Sequence, residues 1–99
     1  MDPRVSRRRS KPLNPAEREG LRSFRAGDHK AFQDLVRTHL QGLLALAGRQ
    51  ARDAPWAEDL VQEVLVRAYG GLGAFRGDST LRTWLFRILV RLASKPQRW

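Results

Sequence analysis

Apolar residues recur along this chain at intervals of three and four, and nowhere do they alternate one by one with polar residues. That pattern excludes a sheet and asks for helices packed on buried stripes. Asn14-Pro15-Ala16-Glu17 reads as a helix start, with Asn as N-cap, Pro at the first helical position and an acid at the third. This short helix is expected to end near Ala26 and Gly27, where Asp28 can cap the next. A stripe then runs through Phe32, Leu35, Val36, Leu40, Leu43, Leu44, Leu46 and Ala47 as one helix. Gly42 and Gly48 weaken it by about 1 kcal/mol each relative to Ala, so packing must hold it.

A break near Arg52-Asp53-Ala54 precedes Pro55, and Trp56, Leu60, Val61, Val64, Leu65, Ala68 and Tyr69 make the next stripe. Gly70-Gly71-Leu72-Gly73 ends it. A loop follows through Ala74-Phe75-Arg76-Gly77-Asp78, and Asp78 or Ser79 caps a last helix with the stripe Leu81, Trp84, Leu85, Ile88, Leu89 and Leu92. Pro96 closes that helix. The expected fold is all-α, three to four packed helices over residues 14–95. Residues 1–13 hold too little apolar surface to offset backbone ordering and are read as a flexible basic arm. Residues 96–99 are read as a tail or the start of a truncated linker. A helical unit this small has a marginal core, and a permanent partner could supply part of its stability.

The 99 residues carry nineteen Lys and Arg against ten Asp and Glu, a net charge of +9. The charge is not spread evenly. Residues 1–11 have a net +4, residues 12–66 a net −1 and residues 67–99 a net +6. A near-neutral middle beside a basic last third suggests two surfaces, the second suited to a polyanion. Arginine that merely solubilises a small helical domain is the plainer reading. With no cysteine there is no disulfide, thiolate metal site or cysteine nucleophile. His29 and His39 lie ten apart without a third ligand, so neither an enzyme nor a structural metalloprotein is expected, and no cofactor. The longest uncharged run, residues 40–48, is far below the roughly 18 residues a membrane crossing takes. No apolar segment follows the early arginines, so no secretory signal is expected.

Two polar faces remain once the stripes are assigned. Asp59, Gln62, Glu63 and Val66 fall at i, i+3, i+4 and i+7, a compact acidic-amide patch that suits a basic partner, or else an ordinary solvated face. In the last helix Arg87 and Arg91 sit four apart, with Lys95 and Arg98 extending the edge and no acid within the helix to pair with them. Like charges so placed repel by a few tenths of a kcal/mol, roughly, and a nucleic-acid backbone reverses that sign. Thr83, Phe86 and Val90 lie opposite the apolar stripe, so this helix makes a second contact. Either Phe86 stacks on a base, or another helix of the domain, or a missing segment, covers it. The Gly-rich turn lacks the Gly-Lys-Ser/Thr of a P-loop and carries no nucleotide reading.

Taken in order, Gly27-Asp28-x-x-Ala31-Phe32-x-x-Leu35-Val36, Ala57-Glu58-Asp59-Leu60-Val61-Gln62-Glu63-Val64, Phe75-Arg76-Gly77-Asp78-Ser79 and Leu81-Arg82-Thr83-Trp84-Leu85-Phe86-Arg87-Ile88 resemble region 2 of bacterial sigma factors. The likeness is greatest to the extracytoplasmic-function group and covers about residues 15–95. It implies a cytoplasmic bacterial initiation factor that is not an enzyme. Asp59, Gln62, Glu63 and Val66 would dock on the β′ clamp helices of the RNA polymerase core. The loop and last helix would open the promoter −10 element and hold its non-template strand, one base flipped into a loop pocket. The residues implied are Phe75, Arg76, Ser79, Arg82, Trp84, Phe86, Arg87, Arg91 and Lys95. A flipped base loses its stacking, and an aromatic-backed pocket replaces part of it. Arg82 and Arg87 would contact phosphates, which position a strand without reading it.

The chain departs from the family in two respects. Arg91 stands where many members carry Asn, and Lys95 where Asp or Asn often follows; cations favour phosphate over a base edge. Members also add a second helical domain for the −35 element, so this chain is expected to be an excised region 2, or else a natural protein lacking that domain. The rival reading is a degenerate sigma-like module held by an anti-sigma factor or other regulator, without promoter recognition. A generic basic nucleic-acid binder ranks last, because it leaves the Asp59–Gln62–Glu63 patch unused.

Overall fold

Asn14 starts the first helix through a reciprocal pair of hydrogen bonds. Its Oδ1 accepts from the Glu17 amide at 2.7 Å, and Glu17 Oε1 accepts from the Asn14 amide at 3.2 Å. With Pro15 at the first position, this capping box satisfies donors that the first turn leaves without partners. The computed structural model describes residues 13–50 and 53–95. The basic arm, apart from Leu13, the Arg52 part of the expected break, Arg98 and the tail at 96–99 lie outside those residues. Leu13, expected at the end of the arm, is buried in the core.

Five α-helices, one short 3₁₀ turn and no strand occur among the described residues. Helix α1 spans Pro15–Arg25, α2 Lys30–Arg37, α3 Leu40–Gln50, α4 Ala54–Gly71 and α5 Leu81–Ala93, with the 3₁₀ turn at Leu72–Ala74 between the last two. The all-α expectation holds. The long stripe expected over residues 32–47 is delivered as two helices. At the break the His39 amide donates to the Val36 carbonyl at 2.9 Å, a tight three-residue turn, and the Leu43 amide donates to His39 at 2.9 Å. The imidazole turns inward, 12% exposed, with Nε2 3.6 Å from Glu17 Oε2 on α1. Neither Pro nor Gly marks this break.

Between α1 and α2, Gly27 adopts φ 108°, a left-handed turn that a side chain would strain. The N-cap of α2 is His29, without a side-chain cap bond, and not the expected Asp28, whose Oδ1 accepts from the Lys30 amide at 3.1 Å one position too early. Asp53 caps α4 by accepting from the Trp56 amide at 2.9 Å. The cap of α5 is neither Asp78 nor Ser79: Thr80 Oγ1 accepts from the Thr83 amide at 3.0 Å. Ser79 instead donates its hydroxyl to the Thr80 carbonyl, which places it one position too early to cap.

Helix α4 packs on both α3 and α5, and α3 packs on α5, so three helices close around one core. Leu43, Leu60, Val64, Leu72, Leu81, Leu85 and Leu89 are its largest fully buried members. Each such leucine contributes about 1.5–3 kcal/mol by leaving water. The α1–α2 hairpin joins this unit through the 3₁₀ turn, where the Arg25 guanidinium donates to the carbonyls of Gly73, at 3.0 Å, and Phe75. No described helix is long and apolar enough to cross a membrane. No three His, Asp or Glu side chains converge on a metal site among the described residues.

Candidate functional site

The amphipathic turn count of α4 decides its outer edge: with Ala57, Leu60, Val61, Val64 and Ala68 buried, Asp59, Gln62, Glu63 and Val66 share the opposite arc. Asp59 and Gln62 are exposed, and Val66 is 65% exposed, an uncompensated apolar side chain within an acidic edge. Glu63 is partly buried and accepts from Arg67 Nε at 3.0 Å. This surface pair is worth about 0–1 kcal/mol, so a partner's guanidinium can replace Arg67 at little cost. Asp59 makes no ion pair among the described residues.

Beside this edge the structure shows what the spacing did not. Tyr69, assigned to the buried stripe, is 43% exposed, and Leu40 is 37% exposed. Together with Phe32, Val36 and Leu65 they line a groove of about 560 Å³ between α2, α3 and α4. Tyr69 shares a hydrogen bond with His29 Nδ1, and Phe24 meets both rings edge-on at 5.5 and 5.9 Å. An exposed tyrosine at a stripe position looks identical to a buried one in sequence, because the neighbouring α2 contributes only part of its cover.

The residues implied for DNA binding divide into a loop group and a groove group. In the loop, Phe75 is buried, 4% exposed, and stacks on Trp84 with centroids 4.9 Å apart and planes at 33°. Its ring backs the Trp84 indole from within the core. The indole also rests over Gly71, where an added Cβ would lie 3.5 Å from Cζ2. Arg76 is exposed and Ser79 half-buried on the same loop, which turns at Gly77 with φ 77°.

Arg82 and Trp84, two residues apart, point to opposite flanks of α5. On the far flank the Arg82 guanidinium lies 4.5 Å over the Phe86 ring, a cation–π contact. Both pack on Gly42 of α3, where an added Cβ would come within 3.1 Å of Arg82 and 3.2 Å of Phe86. Phe86 is half-buried, with α3 covering one side of its ring. Its remaining edge, with Leu46, Thr83 and Val90, floors a groove of about 620 Å³ rimmed by Arg82, Arg87 and Arg91. Val90 is 48% exposed there. Lys95 is exposed just past the end of α5. The residues implied for DNA binding therefore lie on two flanks of one helix, with Arg87 and Arg91 exposed on α5 as well.

The family model of sigma-70 region 2 matches residues 35–96, well over half of the chain. The chain belongs to the sigma-70 region 2 family. Its matched span takes in α3, α4, the loop and α5, the elements that carry both candidate surfaces. The chain is 45% identical over 67 residues to the RNA polymerase sigma-H factor of Pseudomonas aeruginosa, covering 68% of this chain and 35% of that protein. It is 44% identical over 69 residues to the ECF RNA polymerase sigma-E factor of Escherichia coli, covering 68% and 35%. With the ECF RNA polymerase sigma factor SigM of Mycobacterium tuberculosis it shares 37% over 75 residues, covering 76% and 38%. The region 2 fold seen here therefore spans a little over a third of the length of these curated relatives.

Proposed function

We propose that this region 2 chain serves transcription initiation in the bacterial cytoplasm as the core-binding and promoter −10 part of an RNA polymerase sigma factor. The outer edge of α4 docks on the β′ clamp helices: Asp59 and Gln62 offer acceptors to basic side chains, Glu63 exchanges Arg67 for a partner cation, and Val66 fills the centre of the contact. The loop at 75–80 and α5 hold the non-template strand single-stranded. Trp84, backed by Phe75, offers a π-face to an unstacked base, while Arg76, Arg82, Arg87, Arg91 and Lys95 neutralise phosphates. No bond in the DNA is made or broken.

The observation that carries this reading is the segregation of charge on adjacent helices. An acidic-amide edge with one exposed valine lies on α4, and exposed arginines without ion pairs among the described residues lie on α5. Asp59→Ala/Gln62→Ala is expected to lower affinity for a β′ clamp-helix fragment at least about tenfold, roughly 1.4 kcal/mol, with circular dichroism unchanged. Unchanged affinity would remove α4 from that role.

Arg91 supports a second reading, a sigma-like module held by an anti-sigma factor and binding single strands without sequence preference. A cation at that place serves phosphate better than a base edge.

A further inference from the structure

We infer that a cleft between α1 and the loop at 75–80 is a phosphate site for a nucleic-acid backbone, built from Arg18, Arg22, Arg25 and Arg76. The cleft holds about 310 Å³, with Leu13 on its wall. Arg18, Arg22 and Arg25 follow i, i+4 and i+7 on one face of α1, a spacing at which like charges repel unless an anion lies between them. Two of the guanidiniums are fixed by neutral acceptors. Arg18 Nη1 donates to the Leu13 carbonyl at 2.7 Å, and Arg25 donates to the Gly73 and Phe75 carbonyls. Each retains its whole charge and donors to spare from its set of five. Arg22 meets Glu19 at 2.5 Å, but both side chains are about two-thirds exposed or more, and such a pair yields readily to a phosphate.

Nucleic acid is favoured over an acidic peptide by continuity. Arg25 is bonded to the carbonyl of Phe75, next to Arg76 on the loop proposed above to hold the strand. The assignment of a strand to the cleft rests on the promoter reading; the phosphate chemistry does not.

The test is fluorescence anisotropy with a labelled, short, random-sequence single-stranded DNA over a series of NaCl concentrations. Arg18→Gln/Arg22→Gln is expected to reduce the slope of log K against log[salt] by about 1.4, two phosphates at roughly 0.7 each. The charge-matched control Lys30→Gln/Arg37→Gln, on exposed positions of α2, should leave the slope in place. If the double variant melts early, Arg22→Gln alone should lower the slope by about 0.7. Equal effects of cleft and control pairs, no effect of either, or no binding by the wild type would each overturn the site. Repeating the titration with a −10-like oligonucleotide beside its scrambled version separates the two readings: a cleft effect with equal affinity for both would sustain the site and sink the promoter reading, whereas a preference for the −10-like sequence without a cleft effect would do the reverse.

Discussion

The Thr80 hydroxyl accepts from the Thr83 amide at 3.0 Å and bonds the Thr83 hydroxyl at 2.8 Å, so one side chain closes the first turn of the helix that carries most of the candidate strand-binding residues. Thr80→Ala is expected to cost about 1 kcal/mol, a fall in Tm of roughly 4–8 °C for a domain of this size. Asp78→Ala, at an exposed loop position, should stay within about 0.5 kcal/mol. Urea unfolding of the two variants checks this, and equal losses would show that the cap is shared. Asp78, Ser79 and Thr80 are all good caps, so composition names a cap and only the chain's path selects one. Phe75 was hidden for a similar reason. A loop aromatic belongs to no periodic stripe, and nothing local says whether it faces a ligand or, as here, backs Trp84.

At the scale of elements, α4 is the shared wall: it packs on α3 and α5 with its inner face and offers Asp59, Gln62 and Val66 on its outer one. The outer edge was legible because burial at Leu60, Val61 and Val64 leaves those positions no other direction. The break at residues 38–39 was not legible. Phe32, Val36, Leu43 and Ala47 keep one helical phase across it, so the periodicity runs on while the backbone tightens at His39. The cluster of Arg18, Arg22, Arg25 and Arg76 escaped for the opposite reason: its members come from two elements that only the tertiary fold joins. Leu85 lies on α5 where it is fully buried. Leu85→Ala is expected to cost about 2–5 kcal/mol, enough to unfold most of a marginal domain. A variant that keeps its full Tm would show that α5 is held by its surface contacts instead.

The whole molecule separates its tasks by charge. A near-neutral α2–α4 region bears the surface proposed for a protein, and the arginines of α1, the loop and α5 surround the surfaces proposed for a strand. Helical class and family were legible at this scale because four motifs occur in order, and the match over residues 35–96 takes in the last three of them whole. Which arginines act together was not, since α5 turns Arg82 and Trp84 to opposite flanks. The most direct measurement is selection from a random single-stranded DNA pool by RNA polymerase core loaded with this chain, set beside core loaded with Asp59→Ala/Gln62→Ala. The account predicts one short enriched motif with the wild type and none with the variant. A pool left unenriched by the wild type, or enriched equally by both, would contradict it.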